Sequence, residues 1–371
     1  MGGGLLLHRH FTLGSPFDLG IITSNPSEPS IGGFCRLIRE PAVLERLKRT
    51  RLATWFHDYT HLVHSRIPDS RLLRAAEEFQ PDIILNVAET YLSRHALLLA
   101  RKLGIPFACY FMDWAHYAAY THSWAIPHMD RMFRHLYREC DLAFCISEGM
   151  KDELGPHANV RIVHPIPGIA PRLEIVTPTV GRAFTFLFAG NLAHWYGEQM
   201  QAIMSLCEDV PELALRVFGA YHHWDAAFEK RQTELGVYGG FRPFEELEGE
   251  FQTADAFLLP MGFDPASALI ERTSFKTKFL DYLLHDKPIV VWGPEYCTAI
   301  QIARRYGCAL CVTDPEPKAA IAGMRRLAND EALRNELTAN GRKMLAGDFH
   351  RDRIAGELQA GLFGLLKSKG N

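Results

Sequence analysis

Residues 273–291, TSFKTKFLDYLLHDKPIVV, compress a helix, a turn and a strand into one short stretch. Leu280, Leu283 and Leu284 fall on one side of an amphipathic helical turn or two. His285-Asp286-Lys287 reads as a polar turn, and Pro288 opens an apolar strand. Helix followed by apolar strand is half of a βαβ unit. Ser274 stands where it can cap the helix start, yet Lys276 and Lys278 occupy the first turn, where the helix dipole favours negative charge. An anion bound there would resolve the conflict.

Outward from this stretch the same alternation recurs. PDIILNVA (81–88), a helical pattern over 93–103, FACYF (107–111), a helix near 129–140 and DLAFCIS (141–147) make a first series. TFLFAG (185–190), LALRVFG (213–219), a short strand near Val237, ADAFLLP (254–260), PIVVWG (288–293) and CALCV (308–312) make a second. Between them HPIPGIAPRLEIVTPTVG (164–181) has four prolines, two glycines and no helical period, as a linker would. The expected fold is α/β, two doubly wound Rossmann-like domains facing a central cleft, with ligands at the carboxyl ends of the strands. The boundaries are 1–167 for the first domain, 168–181 for the linker and 182–348 for the second. A final helix over about 349–367 would cross back to the first domain. DLGIITS (18–24) is a plausible first strand.

A chain of 371 residues suits two domains of about 150 to 200 residues. Net charge is −3, from 40 Lys and Arg against 43 Asp and Glu, so whole-protein electrostatics give no case for nucleic acid and any anion site must be local. The apolar runs, such as 96–100, fall far short of the roughly 20 residues that span a bilayer, and the start lacks the layout of a signal peptide. A cytoplasmic protein is the plain reading. Association with a membrane surface stays open, although no basic amphipathic helix stands out. Eight cysteines in apolar settings fit reduced, buried thiols, and Cys308-Ala-Leu-Cys311 has no second pair to make a metal site.

Several signatures are missing: no G-x-G-x-x-G after a strand, no Walker A loop and no D-x-D. Ser147 sits in a faint nucleophile-elbow pattern, but Cys145 replaces the required glycine, so Ser147 is read as the cap of a helix starting at Glu148. His57, His61 and His64 at i, i+4 and i+7 would line one helical face, a spacing able to bind zinc; they are read instead as a polar helix face, and no metal is expected.

In the opening stretch, Thr277, Lys278 and Asp281 share the helix's first turns. A lysine beside exposed backbone N–H groups suits a phosphate, and an acid one turn on can accept from a vicinal diol. Together they would match the diphosphate and ribose of a nucleotide sugar.

The chain here resembles the retaining glycosyltransferases of family 4, which have the GT-B fold. Their second domains carry S-x-P-[ST]-K-x-x-E-Y, then a turn and P-hydrophobic-V, matched by Ser274 to Tyr282 and Pro288-Ile289-Val290. Neighbouring segments follow in order: FLFAGNL (186–192), LRVFG (215–219), YGGFRPFEEL (238–247) and FQTADAFLLP (251–260). In the first domain DLAFCISEGMKDELG (141–155) and PSIGGFCRL (29–37) resemble family segments. The resemblance implies a donor site of Gly190, Asn191, Gly219, Gly239, Phe241, Arg272, Ser274, Lys276, Thr277, Lys278 and Asp281. Lys278 would meet the diphosphate, Asp281 the ribose, Gly190 and Asn191 the phosphates, and 239–241 the base. It implies an acceptor side with Gly32, Gly33, Asp113 and His116, the last two with Lys278 as catalytic candidates.

The expected activity is transfer of a sugar from a nucleoside diphosphate to a glycan, lipid-linked or other hydroxyl acceptor, metal-independent, with retention and no further cofactor. An epimerase of the same fold and a non-catalytic partner subunit are the alternatives. The departures are specific. Thr273 stands eight residues before Asp281, where many members have an acid, and neither Glu271 nor Arg272 simply slides into that role. Asn191 and Tyr196 replace a basic pair, and Lys276 replaces proline.

Overall fold

A computed structural model of the chain describes residues 2–11, 15–24, 34–40, 42–47, 50–114, 117, 121–169, 182–243 and 246–369. Gly32, Gly33 and His116, and residues 170–181 of the expected linker, lie outside these. Two compact units emerge, one of Met1–Ile166, Thr273–Phe275 and Arg351–Asn371, the other of Pro167–Arg272 and Lys276–His350.

In the first unit a parallel pair, β1 (Gly20–Thr23) and β2 (Phe34–Leu37), is separate from a four-stranded sheet. That sheet runs in the order β3 (Ile84–Val87), β4 (Phe107–Phe111), β5 (Leu142–Cys145), β6 (Val160–Ile162), all parallel. β4 and β5 are buried along their whole length, as strands covered on both faces must be, which is why their sequences are apolar without alternation. The helix Ile126–Glu139 lays Phe133 and Tyr137 edge-on against Phe111 of β4. The final helix, Arg351–Lys369, contacts β5: Leu358 and Leu362 are buried, and Gly361 lies so close to the Phe144 ring that a Cβ would be 2.8 Å away. Ser147 caps Glu148–Leu154, accepting from Met150 N–H at 3.0 Å, as its place before an acidic first turn predicts.

The three histidines do not share a helix. Ala53–Leu62 ends before His64, which falls in a 3-10 turn (His64–Arg66), while the tilted rings of His57 and His61 lie 4.5 Å apart. The helix-long periodicity assumed from sequence breaks where the chain tightens.

In the second unit the five strands are β7 (Phe184–Asn191), β8 (Leu213–Ala220), β9 (Ala256–Pro260), β10 (Ile289–Trp292) and β11 (Leu310–Val312). They are parallel, in the order β11-β10-β9-β7-β8. The first strand of the unit is thus flanked by β8 on one side and β9 on the other, and the order reverses beside it. The short strand expected near Val237 is only an isolated bridge between Val217 and Tyr238. Gly239 and Gly240, the latter at φ 73°, turn the chain there before a ladder can extend.

Candidate active site

β7 ends in Gly190-Asn191 at the carboxyl edge of the sheet, beside the reversal of strand order where such sheets bind ligands. The helix Thr277–Leu283 is pinned to this edge by Tyr282. Its hydroxyl accepts from Ala189 N–H at 2.9 Å and donates to Ala189 C=O at 3.2 Å, and its ring stacks on Phe257 of β9 at 4.3 Å. Phe279 through Leu283 are all buried, so the helix is enclosed rather than amphipathic as its leucine spacing suggested.

That docking brings Lys278 onto Gly190. A Cβ on Gly190 would stand 1.5 Å from Lys278 Nζ and 2.3 Å from Cε, so only glycine leaves room for the lysine. The ammonium also sits over the Phe188 ring at 4.9 Å, and among the described residues no carboxylate pairs with it. Burial, reinforced by the charge of Lys276, pulls its pKa from the ordinary lysine value down to about 7. A cation so placed gains most from an anion arriving at the same spot.

Other predicted residues gather around this contact. A Cβ on Gly219 would lie 2.0 Å from the Gly190 carbonyl oxygen. Gly219 N–H donates to Gly240 C=O at 3.0 Å, and Gly239 N–H to Val217 C=O at 2.9 Å, so 239–240 follows β8 to the same edge. A Cβ on Gly239 would meet the Phe218 ring at 2.1 Å. Phe241 projects from this edge, exposed. Asn191 turns its side chain back to accept from Ala193 N–H at 2.9 Å. Asp281, buried, accepts from Gly168 N–H at 2.8 Å. Thr277 opens the helix and is half-buried; Arg272 is exposed and lends its carbonyl to Thr298 at 3.2 Å.

The structure assigns Ser274 differently from the sequence. The residue at the helix cap is Lys276, with no side-chain cap bond. Ser274 belongs with the first unit, where its hydroxyl donates to Asp113 Oδ1, and Ser147 Oγ donates to the neighbouring Thr273 carbonyl at 2.5 Å. Asp113, exposed two residues beyond β4, thus meets a residue that the motif alone placed with the donor site.

Sequence reasoning gave Tyr196 and Glu271 no role. Here Tyr196 donates to Glu271 Oε1 at 2.6 Å, and Gly262 N–H reaches the same oxygen at 3.1 Å. The Lys276 ammonium lies over the Tyr196 ring at 5.6 Å. Burial pushes the phenol of Tyr196 above its ordinary value, which keeps it a donor. The residue replacing proline and the residue replacing a basic partner therefore meet. A lysine and a tyrosine on separate helices, both departing from one pattern, were the available signal.

The family model described as Glycosyltransferase Family 4 matches residues 34–168. No curated protein sequence matches the chain. Among solved structures it is similar to Anabaena HepE in complex with UDP and glucose, with a TM-score of 0.66 at 14% identity over 98% of this chain and 96% of that one. It is also similar to sucrose-phosphate synthase from Thermosynechococcus elongatus (TM-score 0.61, 14% identity, 97% of this chain and 92% of that one). A Rickettsia africae glycosyltransferase aligns with TM-score 0.63 at 11% identity, covering 99% of this chain and 94% of that one. At these identities the likeness establishes the fold. The chain therefore has the GT-B fold, and its residues 34–168 are similar to the Glycosyltransferase Family 4 model.

Proposed function

We propose that the protein transfers a sugar from a nucleoside diphosphate to a hydroxyl acceptor without a metal ion and with retention. The observation that carries this reading is the seat of Lys278 on Gly190, a cation without a carboxylate partner at the carboxyl edge of β7. As the bond from sugar to phosphate breaks, negative charge accumulates on the departing diphosphate. A preorganised ammonium there stabilises the transition state more than the ground state. Lys276, steadied by Tyr196 and through it by Glu271, supplies a second positive charge in place of the family's basic pair. Asp281 reads the ribose; a carboxylate has about four lone-pair sites, so accepting from Gly168 does not exhaust it. Retention and the absence of a metal follow from the family resemblance and from the sequence lacking D-x-D.

The complexes of HepE with UDP and UDP-glucose support uridine nucleotides as the first donors to test. A thermal-shift screen of UDP-, GDP- and ADP-sugars should show one stabilising donor, consumed only when acceptor is added. Lys278→Ala should lower its turnover by about 10² or more. Turnover within about twofold of the parent would remove Lys278 from the leaving-group role.

A further inference from the structure

The first unit carries an exposed surface that the donor chemistry does not use. Leu52, Trp55, Tyr59 and Val63 follow at spacings of three, four and four residues along the helix Ala53–Leu62, which makes one row. All are exposed, from 40% for Tyr59 to 55% for Trp55, an arrangement opposite to that of a helix facing a core. Trp124, also exposed, lies 6.0 Å from Trp55, with His122 packed against both.

Three residues beyond Val63, the chain reaches a cavity of about 250 Å³ lined largely by basic side chains. Arg66, in the turn that continues the helix, lines it with Arg94, Arg131, His128 and His135. Some arginines elsewhere are paired: Arg71 with Asp69, Arg134 with Asp130 and Glu153, Arg182 with Asp255, Arg216 with Glu250. Among the described residues Arg66, Arg94 and Arg131 have no carboxylate partner. Arg131 instead donates to His128 Nδ1 at 2.6 Å, which orients its guanidinium. Three arginines lining one cavity without a carboxylate suit a polyanionic oxygen cluster, and phosphate matches the fork of arginine.

We propose that this surface docks on an anionic phospholipid membrane, with the tryptophan row in the interfacial layer and a headgroup phosphate in the arginine cavity. The two halves fit one occupant: tryptophan and tyrosine favour the boundary between acyl chains and water, and unpaired arginines favour a negative surface. The cavity is smaller than the about 300 to 1,000 Å³ that encloses a whole small ligand, which suits a headgroup. No helix among the described residues is long and apolar enough to cross a bilayer, so the contact is a surface one.

Sedimentation with vesicles tests this in the full chain. The parent should bind vesicles of equal phosphatidylglycerol and phosphatidylcholine, should bind phosphatidylcholine alone at least tenfold more weakly, and should let go as salt rises. Trp55→Ser with Trp124→Ser, and separately Arg66→Gln with Arg94→Gln and Arg131→Gln, should each weaken binding about tenfold or more. Brominated lipids should quench the parent's tryptophan fluorescence, a readout that needs no variant to fold. Lys278→Ala should bind vesicles like the parent, which separates this surface from the donor site. Absence of binding to the mixed vesicles, equal binding by all variants, or no quenching would overturn the proposal. So would a dimer in gel filtration that the tryptophan variant dissolves, or saturation of the arginines by soluble glycerol phosphate with no vesicle binding.

Discussion

Gly190, Gly219 and Gly239 look interchangeable in the sequence, and the atoms facing them separate their roles. The obstacle to a side chain on Gly190 is the far end of Lys278, which can swing away. Gly190→Ala should therefore keep the melting temperature near the parent's while lowering donor turnover by tenfold or more, approaching Lys278→Ala. On Gly219 the obstacle is the Gly190 carbonyl oxygen, which is backbone and cannot yield. Gly219→Ala should cost about 1 to 3 kcal/mol of stability by denaturant titration. Lys278 also sets a pH dependence. With its pKa pulled down to about 7, it is largely neutral above that pH in the free enzyme, and an arriving diphosphate must draw a proton onto it. Calorimetry in buffers of different ionisation enthalpy should show proton uptake on binding a nucleotide sugar. Uptake should grow as pH rises from 6 to 9, with affinity falling by up to about tenfold per pH unit above 7. Uptake near zero at pH 8 would mean that Lys278 is already charged or does not meet the phosphate.

At the scale of elements, the question is what holds a seven-residue helix in register with the end of β7. The Tyr282 hydroxyl takes both the N–H and the C=O of Ala189, so Tyr282→Phe leaves two buried backbone groups short of a partner. The expected loss is about 1 to 3 kcal/mol, and a KM for donor that rises more than kcat falls, because Lys278 loses its register while its charge remains. The helix, turn and strand of 273–291 were legible because apolar spacing and Pro288 mark them. The polar turn has a definite geometry: Asp286 adopts φ 57°, which aspartate tolerates, and Lys287 donates to the carbonyls of Phe251 and Gln252 at the end of another helix. Ser274 was misread because a serine just before an apolar helical pattern resembles a helix cap. What overrides that local preference is Asp113, a partner more than 150 residues away in sequence.

For the whole molecule, the alternation of strands and helices announced both parallel sheets, since strands buried on both faces must be continuously apolar. The final helix was expected over about 349–367, and its attachment to the first unit rests on buried Leu358 and Leu362 and on the fit of Gly361 against Phe144. Leu358→Ala should destabilise the first unit by about 2 to 5 kcal/mol, seen as one calorimetric transition moving while nucleotide-sugar affinity, assigned to the second unit by the proposed function, stays put. Sequence alone determined the α/β class and most strand positions, though not Phe34–Leu37 or Val160–Ile162, because periodicity is local and covalent. Only the tertiary structure decided that Gly190 admits Lys278, that Tyr196 and Glu271 meet Lys276, and that Ser274 meets Asp113. Each of these is a contact between residues distant along the chain, and its energy depends on burial and on the absence of competing partners, which no linear pattern records.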